Sequence, residues 1–183
     1  MAKVIVLLAD GFEEIEAVSV IDILRRANVD VCVAGVSKGD IKGAHNIIVK
    51  PDAYLSEVLD DEYDMVVLPG GTKGAVNISE STNADRLIKR LAAEEKYIAA
   101  ICAAPYVLVE KGVLEGKMAT SYPSFQEKVE YGCEYQDAIV VVDENIITSR
   151  GPGTAAEFAF TLVELLVEED TAESLREGML FND

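Results

Sequence analysis

A single cysteine lies between two apolar stretches in the segment "KYIAAICAAPYVLVEKG", residues 96–112. If Cys102 stands where a strand turns into a helix, the tight bend exposes its side chain, and small flanking residues such as Ala100 and Ala104 make room for that bend. A helix start beside the sulfur also favours an anion, so we expect a lowered thiol pKa and a nucleophilic thiolate. The spacing fits equally well a small buried residue in an alanine-rich packing contact.

Backbone amides near this thiol are candidates for holding a developing negative charge. Gly70 and Gly71 follow the apolar run "MVVLP", and together with the amide of Ala103 they are suited to bind the oxyanion of a substrate attacked by Cys102. An ordinary turn at a strand end explains the same two glycines. The segment "RGPGT", which begins at Arg150, is either an anion-binding turn or the exit of a hairpin.

Three glutamates, Glu13, Glu14 and Glu16, crowd the start of the first helical pattern. A favourable interaction with the helix dipole accounts for carboxylates at such positions. A carboxyl group turned inward and close to a thiolate would instead have a raised pKa and could act as a general acid or base. The spacing does not decide which of the three would do so.

His45, in "KGAHNIIVK", is the sole histidine and the obvious partner for a cysteine–histidine pair. It falls between two short predicted strands and away from the Cys102 bend. This position favours a loop or surface histidine over a catalytic one.

The elements that would position these residues alternate between short apolar runs and helical patterns. The predicted strands cover residues 4–8, 29–36, 65–71, 97–101 and 118–122, with a hairpin over 139–149. Helices are predicted from Ile15 to Arg26 and over 103–112. Capping boxes, Thr82 with Asp85 and Thr154 with Glu157, predict the starts of two more helices. Asp170 with Glu173 predicts the start of a last short helix. This alternation predicts an α/β fold with a mostly parallel sheet between two helix layers, in which ligands bind beyond the carboxyl ends of the strands.

Composition limits the classes of function. The chain has 183 residues, 50% of them hydrophobic, and shows no repeat or linker, so we expect a single domain over 1–183. Its 33 acidic and 16 basic residues give a net charge of −17, which disfavours nucleic acid and anionic lipid as partners. Neither a signal peptide nor a membrane span is evident, so a cytoplasmic location is expected. The three cysteines show no metal-ligand spacing, and no metal is expected.

The segments "GFEEIE", "VVLPGG", "AAICAAP" and "ITSRGPGT", in this order and spacing, resemble the DJ-1/ThiJ/PfpI superfamily, and in particular its small single-domain DJ-1-like branch. The resemblance covers about residues 3–180. It implies a flavodoxin-like three-layer sandwich, usually assembled as a homodimer. No cofactor is implied.

The resemblance also assigns roles to residues. Cys102 would be the reactive cysteine, Glu16 the protonated acid that hydrogen-bonds its sulfur, and Gly71 and Ala103 the donors of backbone amides. Gly70, Tyr122, Arg150 and His45 are further candidates for lining the site. In one respect the chain departs from many relatives, since Thr120-Ser121-Tyr122-Pro123 replaces a stretch that carries a histidine. A tyrosine with an ordinary pKa is a poor base at neutral pH, so no cysteine–histidine pair is expected.

Two hypotheses of function follow from the resemblance. The first is an enzyme that converts methylglyoxal and glyoxal to hydroxy acids without glutathione, or that removes early glycation adducts, through a hemithioacetal on Cys102 with Glu16 moving protons. The second is a sensor of oxidative stress or a chaperone-like protein in which Cys102 is oxidised to a sulfinate. A protease is disfavoured because "CAAP" has no histidine directly after the cysteine.

Overall fold

Short β-branched and apolar runs form the strands. The structure is a computed structural model that describes residues 1–181. Its strands are β1 (Lys3–Leu8), β2 (Asp30–Gly35), β3 (Ile41–Lys42), β4 (Ile48–Val49), β5 (Ala53–Tyr54), β6 (Met65–Leu68), β7 (Tyr97–Ile101), β8 (Met118–Ala119), β9 (Glu134–Tyr135), β10 (Val140–Asp143) and β11 (Ile146–Ser149).

Helices occupy half of the connections between these strands, and two more helices follow β11. They are α1 (Glu14–Arg26), α2 (Leu55–Val58), α3 (Thr72–Glu80), α4 (Thr82–Ala93), α5 (Pro105–Glu110), α6 (Gln126–Val129), α7 (Ala155–Leu166) and α8 (Glu169–Gly178). Two short 3₁₀ turns, Pro123–Phe125 and Pro152–Thr154, precede α6 and α7.

The main sheet has seven strands in the order β10-β11-β7-β6-β1-β2-β5. All neighbouring pairs are parallel except the β10–β11 hairpin. Helices α1 and α7 pack together and carry α8, whereas α3 packs on α4 and α5, and α2 on α4. The fold is therefore the expected flavodoxin-like α/β sandwich with a mostly parallel sheet and a hairpin.

Strand order reverses at β1, which has β2 on one side and β6 on the other. Such a switch point opens a crevice beyond the carboxyl ends of the strands. The segments that follow β1, β6 and β7 meet there, and these segments carry Glu16, Gly71 and Cys102. The topology thus brings together residues that are up to 86 positions apart in the chain.

The central strands β1, β6 and β7 are buried almost throughout, which explains their uninterrupted apolar sequences. A hydrophobic core cluster joins them to the inner faces of α1, α4 and α7. Within residues 1–181, no helix combines the length and the apolar character needed to cross a membrane.

Several predicted element boundaries were wrong. The strand predicted over 65–71 ends at Leu68, and the prediction missed α3, which begins at Thr72 immediately after the two glycines. The strand predicted over 118–122 is reduced to β8, which pairs with β9 outside the main sheet. The last helix begins at Glu169 rather than at Asp170.

Both predicted capping boxes were also wrong. Ser81, one residue before Thr82, caps α4 by accepting a hydrogen bond from the N–H of Ala84 at 3.2 Å. Thr154 makes no cap for α7, because its hydroxyl is bonded within the preceding turn, and Glu157 is paired with Arg176 of α8.

Candidate active site

Cys102 occupies a strained bend between β7 and α5. Its φ of 66° lies in the left-handed region, which non-glycine residues rarely adopt. Two hydrogen bonds hold this backbone: the Cys102 N–H donates to the Ser149 carbonyl at 3.0 Å, and the Cys102 carbonyl accepts from the Tyr122 N–H at 2.9 Å. Such strain persists only where the surroundings impose it, and it is frequent at functional sites. The predicted bend is thus present at the predicted residue.

Glu16 reaches Cys102 from the first turn of α1. Its side chain is fully buried, and Oε2 accepts a hydrogen bond from the Gly70 N–H at 2.8 Å. The carboxyl group also interacts with the Cys102 thiol, whereas Oε1 has no nitrogen or oxygen partner among the described residues. Burial raises the pKa of Glu16 to about 7. Because Oε2 already accepts a hydrogen bond from an N–H group, Oε1 is the oxygen on which a proton would sit.

The two glycines make this close approach possible. A Cβ on Gly70 would lie 2.6 Å from both the Cys102 Cβ and the Glu16 Oε2, so a side chain there would push thiol and carboxyl apart. Gly71 has a φ of 87°, and a Cβ on it would lie 2.3 Å from the Gly11 carbonyl oxygen. The backbone amides of Gly71 and Ala103 act on the Cys102 thiol in the direction that lowers its pKa.

The thiol pKa differs from the sequence-based expectation. Burial and the negative charge of Glu16 raise the pKa of Cys102 to about 12, while the amides of Gly71 and Ala103 act in the opposite direction. The expected lowering by a helix start fails because α5 has only six residues and begins three residues after the cysteine, while the thiol itself is buried.

Cys102 and Glu16 are close enough to titrate as a pair. The pair loses its first proton near neutral pH and holds the second into the alkaline range. When Glu16 keeps the remaining proton, the charge that raises the Cys102 pKa is absent, and the two amides can hold the negative charge on sulfur. The singly ionised pair thus offers both a nucleophile and a neighbouring acid.

A cavity of about 820 Å³ opens onto the sulfur. This volume falls in the range of small-molecule sites and exceeds what a three-carbon compound needs. Its lining comprises Asp10, Gly11, Glu13, Lys42, Gly43, Ala44, His45, Asn46, Gly71, Thr72, Lys73, Cys102, Tyr122, Ser124, Phe125 and Pro152.

Of the residues that the sequence proposed as lining the site, Tyr122 lines this cavity and Arg150 does not. Tyr122 lines it, and its ring packs on Gly151, where a Cβ would lie 3.0 Å from Tyr122 Cδ2. Arg150 is not among the lining residues, because its guanidinium pairs with Asp137 at 2.5 Å.

His45 is closer to the site than the sequence suggested. It lies in the loop between β3 and β4, as predicted, but it lines the same cavity as Cys102. Its Nδ1 is bound to Glu14 Oε2 at 2.8 Å, and the neighbouring carboxylates Glu14 and Glu13 raise its pKa. The histidine is therefore part of the cavity wall and is paired with a carboxylate.

The sequence analysis missed Lys42, Lys73 and Asp10 in the lining and the contact of Glu14 with the loop 43–47. The glycine two residues before His45 was a usable signal for that contact, because a glycine next to a polar residue often permits close backbone approach. Glu13, Glu14 and His45 also bring three potential metal-ligand atoms within 4.8 Å of one another. The Glu14 oxygens among them already accept hydrogen bonds from the protein.

The fold and the site together define an α/β protein of the flavodoxin-like class whose switch point carries a strained cysteine beside a buried glutamic acid. The sequence matches the DJ-1/PfpI family over residues 2–165, and the chain belongs to this family.

Known relatives match along nearly the whole chain. It is 42% identical over 178 residues to protein dj-1beta of Drosophila melanogaster, covering 96% of this chain and 95% of that protein. It is 36% identical over 165 residues to a deglycase of Pyrococcus abyssi, covering 90% of this chain and 99% of that protein.

Solved structures agree with the fold. The crystal structure of Drosophila melanogaster DJ-1beta superposes with a TM-score of 0.95 at 41% identity, covering 98% of this chain and 97% of the other. That of Toxoplasma gondii DJ-1 in an oxidised state superposes with a TM-score of 0.94 at 38% identity, covering 98% of both chains.

Proposed function

We propose that the protein converts small reactive dicarbonyls such as methylglyoxal and glyoxal to hydroxy acids, or removes their early adducts, by covalent catalysis at Cys102. The observation that carries this proposal is the contact between a strained cysteine and a buried carboxyl group whose pKa is raised to about 7, at the floor of an open cavity. The similarity to a relative named a deglycase supports the same class of chemistry.

The first step would form a hemithioacetal. The Cys102 thiolate adds to the aldehyde carbon of methylglyoxal, a carbon–sulfur bond forms, and the carbonyl oxygen takes up a proton from Glu16. The amides of Gly71 and Ala103, which act to lower the pKa of the Cys102 thiol, would also stabilise the developing oxyanion.

The second step would be an internal redox shift that needs no external oxidant. Glu16 takes the proton from the former aldehyde carbon and returns it to the ketone carbon, while the hydroxyl proton on the first carbon passes to the oxygen of the second, so the first carbon is oxidised to a thioester and the second is reduced to an alcohol. Water then cleaves the thioester, which releases lactate and the free thiol. Glyoxal would give glycolate by the same steps.

Formation of lactate tests this function. Purified wild-type protein is expected to convert methylglyoxal to lactate, while Cys102→Ser and Glu16→Gln lose at least about 100-fold in rate, because the nucleophile or the proton carrier is removed. Cys32→Ser is the matched control, since that thiol lies in β2, away from the cavity. Equal rates for wild-type protein and Cys102→Ser would reject the proposal.

A second candidate function is a sensor of oxidative stress in which Cys102 itself is oxidised. Two observations favour it: Tyr122, whose side chain is a poor base, lines the cavity, and a relative with the same fold has been solved in an oxidised state. The protonated Glu16 could hydrogen-bond a sulfinate. Mass spectrometry after mild peroxide decides, because a sensor concentrates sulfinate on Cys102, whereas equal oxidation of all three cysteines argues against it.

We further propose that two copies of the chain associate. Four large apolar side chains, those of Ile15, Val18, Ile47 and Ile48, are about half exposed or more. They lie on α1 and on the β3–β4 hairpin, which hydrogen bonds to Glu14 hold together. A second copy would remove this apolar surface from water.

A further inference from the structure

The loop between β3 and β4 forms one wall of the cavity that contains Cys102. Five consecutive residues, 42–46, line the cavity from this side. Strands β3 and β4 have two residues each and pair only with each other, outside the seven-stranded sheet. The position of this wall therefore depends on contacts between the loop and other parts of the chain.

Glu14, the first residue of α1, supplies three of those contacts through one carboxylate. Its Oε1 accepts hydrogen bonds from the His45 N–H at 2.6 Å and the Ile47 N–H at 3.4 Å, and its Oε2 is 2.8 Å from His45 Nδ1. The side chain is only 7% exposed. Burial acts to raise the pKa of Glu14, but the bonds from His45 and Ile47 outweigh it and lower this pKa, so Glu14 is ionised at neutral pH.

Gly43 is shaped to receive this carboxylate. A Cβ at position 43 would lie 2.3 Å from Glu14 Oε1, so any other residue would displace either the carboxylate or the loop. Two further backbone bonds, from Gly11 N–H to the Lys42 carbonyl and from Ala44 N–H to the Phe12 carbonyl, hold the same loop to the segment after β1. The Asp10 carboxylate accepts from the Lys42 N–H at 2.8 Å, and Glu14 supplies the side-chain contact that is fitted to residues 43–47.

We infer that Glu14 is a positioning residue for the site: by holding the 43–47 loop against the start of α1 it fixes the cavity wall beside Cys102 and thereby the size of the compound that reaches the thiol. The inference rests on the proposed function for its kinetic consequence. The reactive group itself is held independently, because the backbone of Cys102 and the carboxyl of Glu16 bond to β11, Gly70 and Tyr122 rather than to the loop.

Kinetics with methylglyoxal separate positioning from chemistry. In Glu14→Ala we expect KM to rise roughly tenfold while kcat stays within about twofold of the wild-type value. The loss of charge-assisted hydrogen bonds of this kind corresponds to about one order of magnitude in a binding constant. Gly43→Ala should give the same split, and the double variant should be no worse than either single one because both break one contact. Glu14→Gln keeps an acceptor for the two N–H groups and should restore much of the wild-type KM.

A second readout does not require turnover. The alkylation rates of the Cys102 peptide by iodoacetamide and by a bulky maleimide are measured by mass spectrometry, and Glu14→Ala is expected to raise the bulky-to-small ratio several-fold. If wild-type protein makes no lactate, the proposed function fails and this ratio still decides the role of Glu14.

Asp64→Ala is the matched control. The Asp64 carboxylate also accepts from a backbone N–H, that of Lys3 at 3.0 Å, and from a cation, Lys96, but it lies at the opposite end of the sheet. The Asp64→Ala substitution should leave KM and the alkylation ratio unchanged. Wild-type values of KM and of the alkylation ratio in both Glu14→Ala and Gly43→Ala would overturn the inference. Equal changes of these two quantities in Asp64→Ala would do the same. So would changes that occur only in variants whose sedimentation shows an altered oligomeric state.

Discussion

Cys102 and Glu16 form a pair in which neither group has its ordinary titration behaviour. The Glu16 carboxyl group keeps its proton to a higher pH, because burial penalises the charged form and outweighs the hydrogen bonds with Cys102 and Gly70, which lower the pKa. The pair can therefore deliver one negative charge and one proton at neutral pH. This property, more than either residue alone, distinguishes the site from an ordinary buried cysteine.

The raised pKa of Glu16 has a consequence for stability. The folded protein holds this proton up to pH about 7, whereas the unfolded chain releases it near 4.5, so between these values folding binds protons and stability falls as pH rises. Glu16→Gln does not titrate and should gain stability relative to wild type by roughly 3 kcal/mol between pH 4.5 and pH 8. Urea unfolding at both pH values measures this gain. A difference between the two proteins that is the same at both pH values would contradict it.

At the scale of elements, the turn between β11 and α7 shows how a polar side chain can stabilise a connection without capping a helix. The Thr154 hydroxyl is 2.7 Å from Ser149 Oγ and 3.0 Å from both the N–H and the carbonyl oxygen of Gly151. Ser149 in turn donates to the Ile139 carbonyl at 2.7 Å. This network holds the strand whose Ser149 carbonyl bonds the Cys102 N–H.

Thr154→Val should therefore destabilise the protein by about 1–3 kcal/mol, because it removes one of the two bonds of Ser149 Oγ and leaves the Gly151 N–H without its partner. Thr161→Val is the matched control, since the Thr161 hydroxyl makes one bond, to the Glu157 carbonyl within α7. It should change the free energy of unfolding by less than about 1 kcal/mol. Chemical denaturation measures both, and equal losses would show that the turn network contributes nothing specific.

For the whole molecule, the net charge of −17 and the exposed apolar residues act in opposite directions on association. Like charges repel two copies, most strongly at low ionic strength. The apolar side chains on α1 and the β3–β4 hairpin favour contact. Association is therefore expected to strengthen with moderate salt.

Val18→Glu tests the proposed homodimer. A buried charge in the apolar contact should shift the protein from dimer to monomer in sedimentation velocity, with the dissociation constant raised at least about 100-fold. Val76→Glu is the control, because Val76 is similarly exposed but lies on α3. A monomeric wild-type protein, or the same sedimentation for wild type and Val18→Glu, would rule out this interface.

The sequence was sufficient for the alternation of the main strands with helices and for the position of the bend at Cys102. Apolar runs such as residues 4–8 and 97–101 have to be buried on both faces, and alternation with helical patterns leaves few topologies other than a parallel sheet. Small residues around Cys102 and glycines after β6 marked positions where backbones approach closely. These are local signals, so they can be read along the chain.

The tertiary structure decided what depends on partners distant in sequence. The pKa of Cys102 is raised by burial and by the Glu16 carboxylate, neither of which can be read from the residues around the cysteine. Likewise, Thr154 bonds to Ser149 and Gly151 instead of capping α7. Glu14 and Glu16, alike in sequence, separate because a helix turns residues two apart by roughly 200°: one meets the 43–47 loop and the other meets Cys102. Which face each carboxylate meets is a property of the packed molecule, because the neighbouring groups come from β3–β4, β6 and β7.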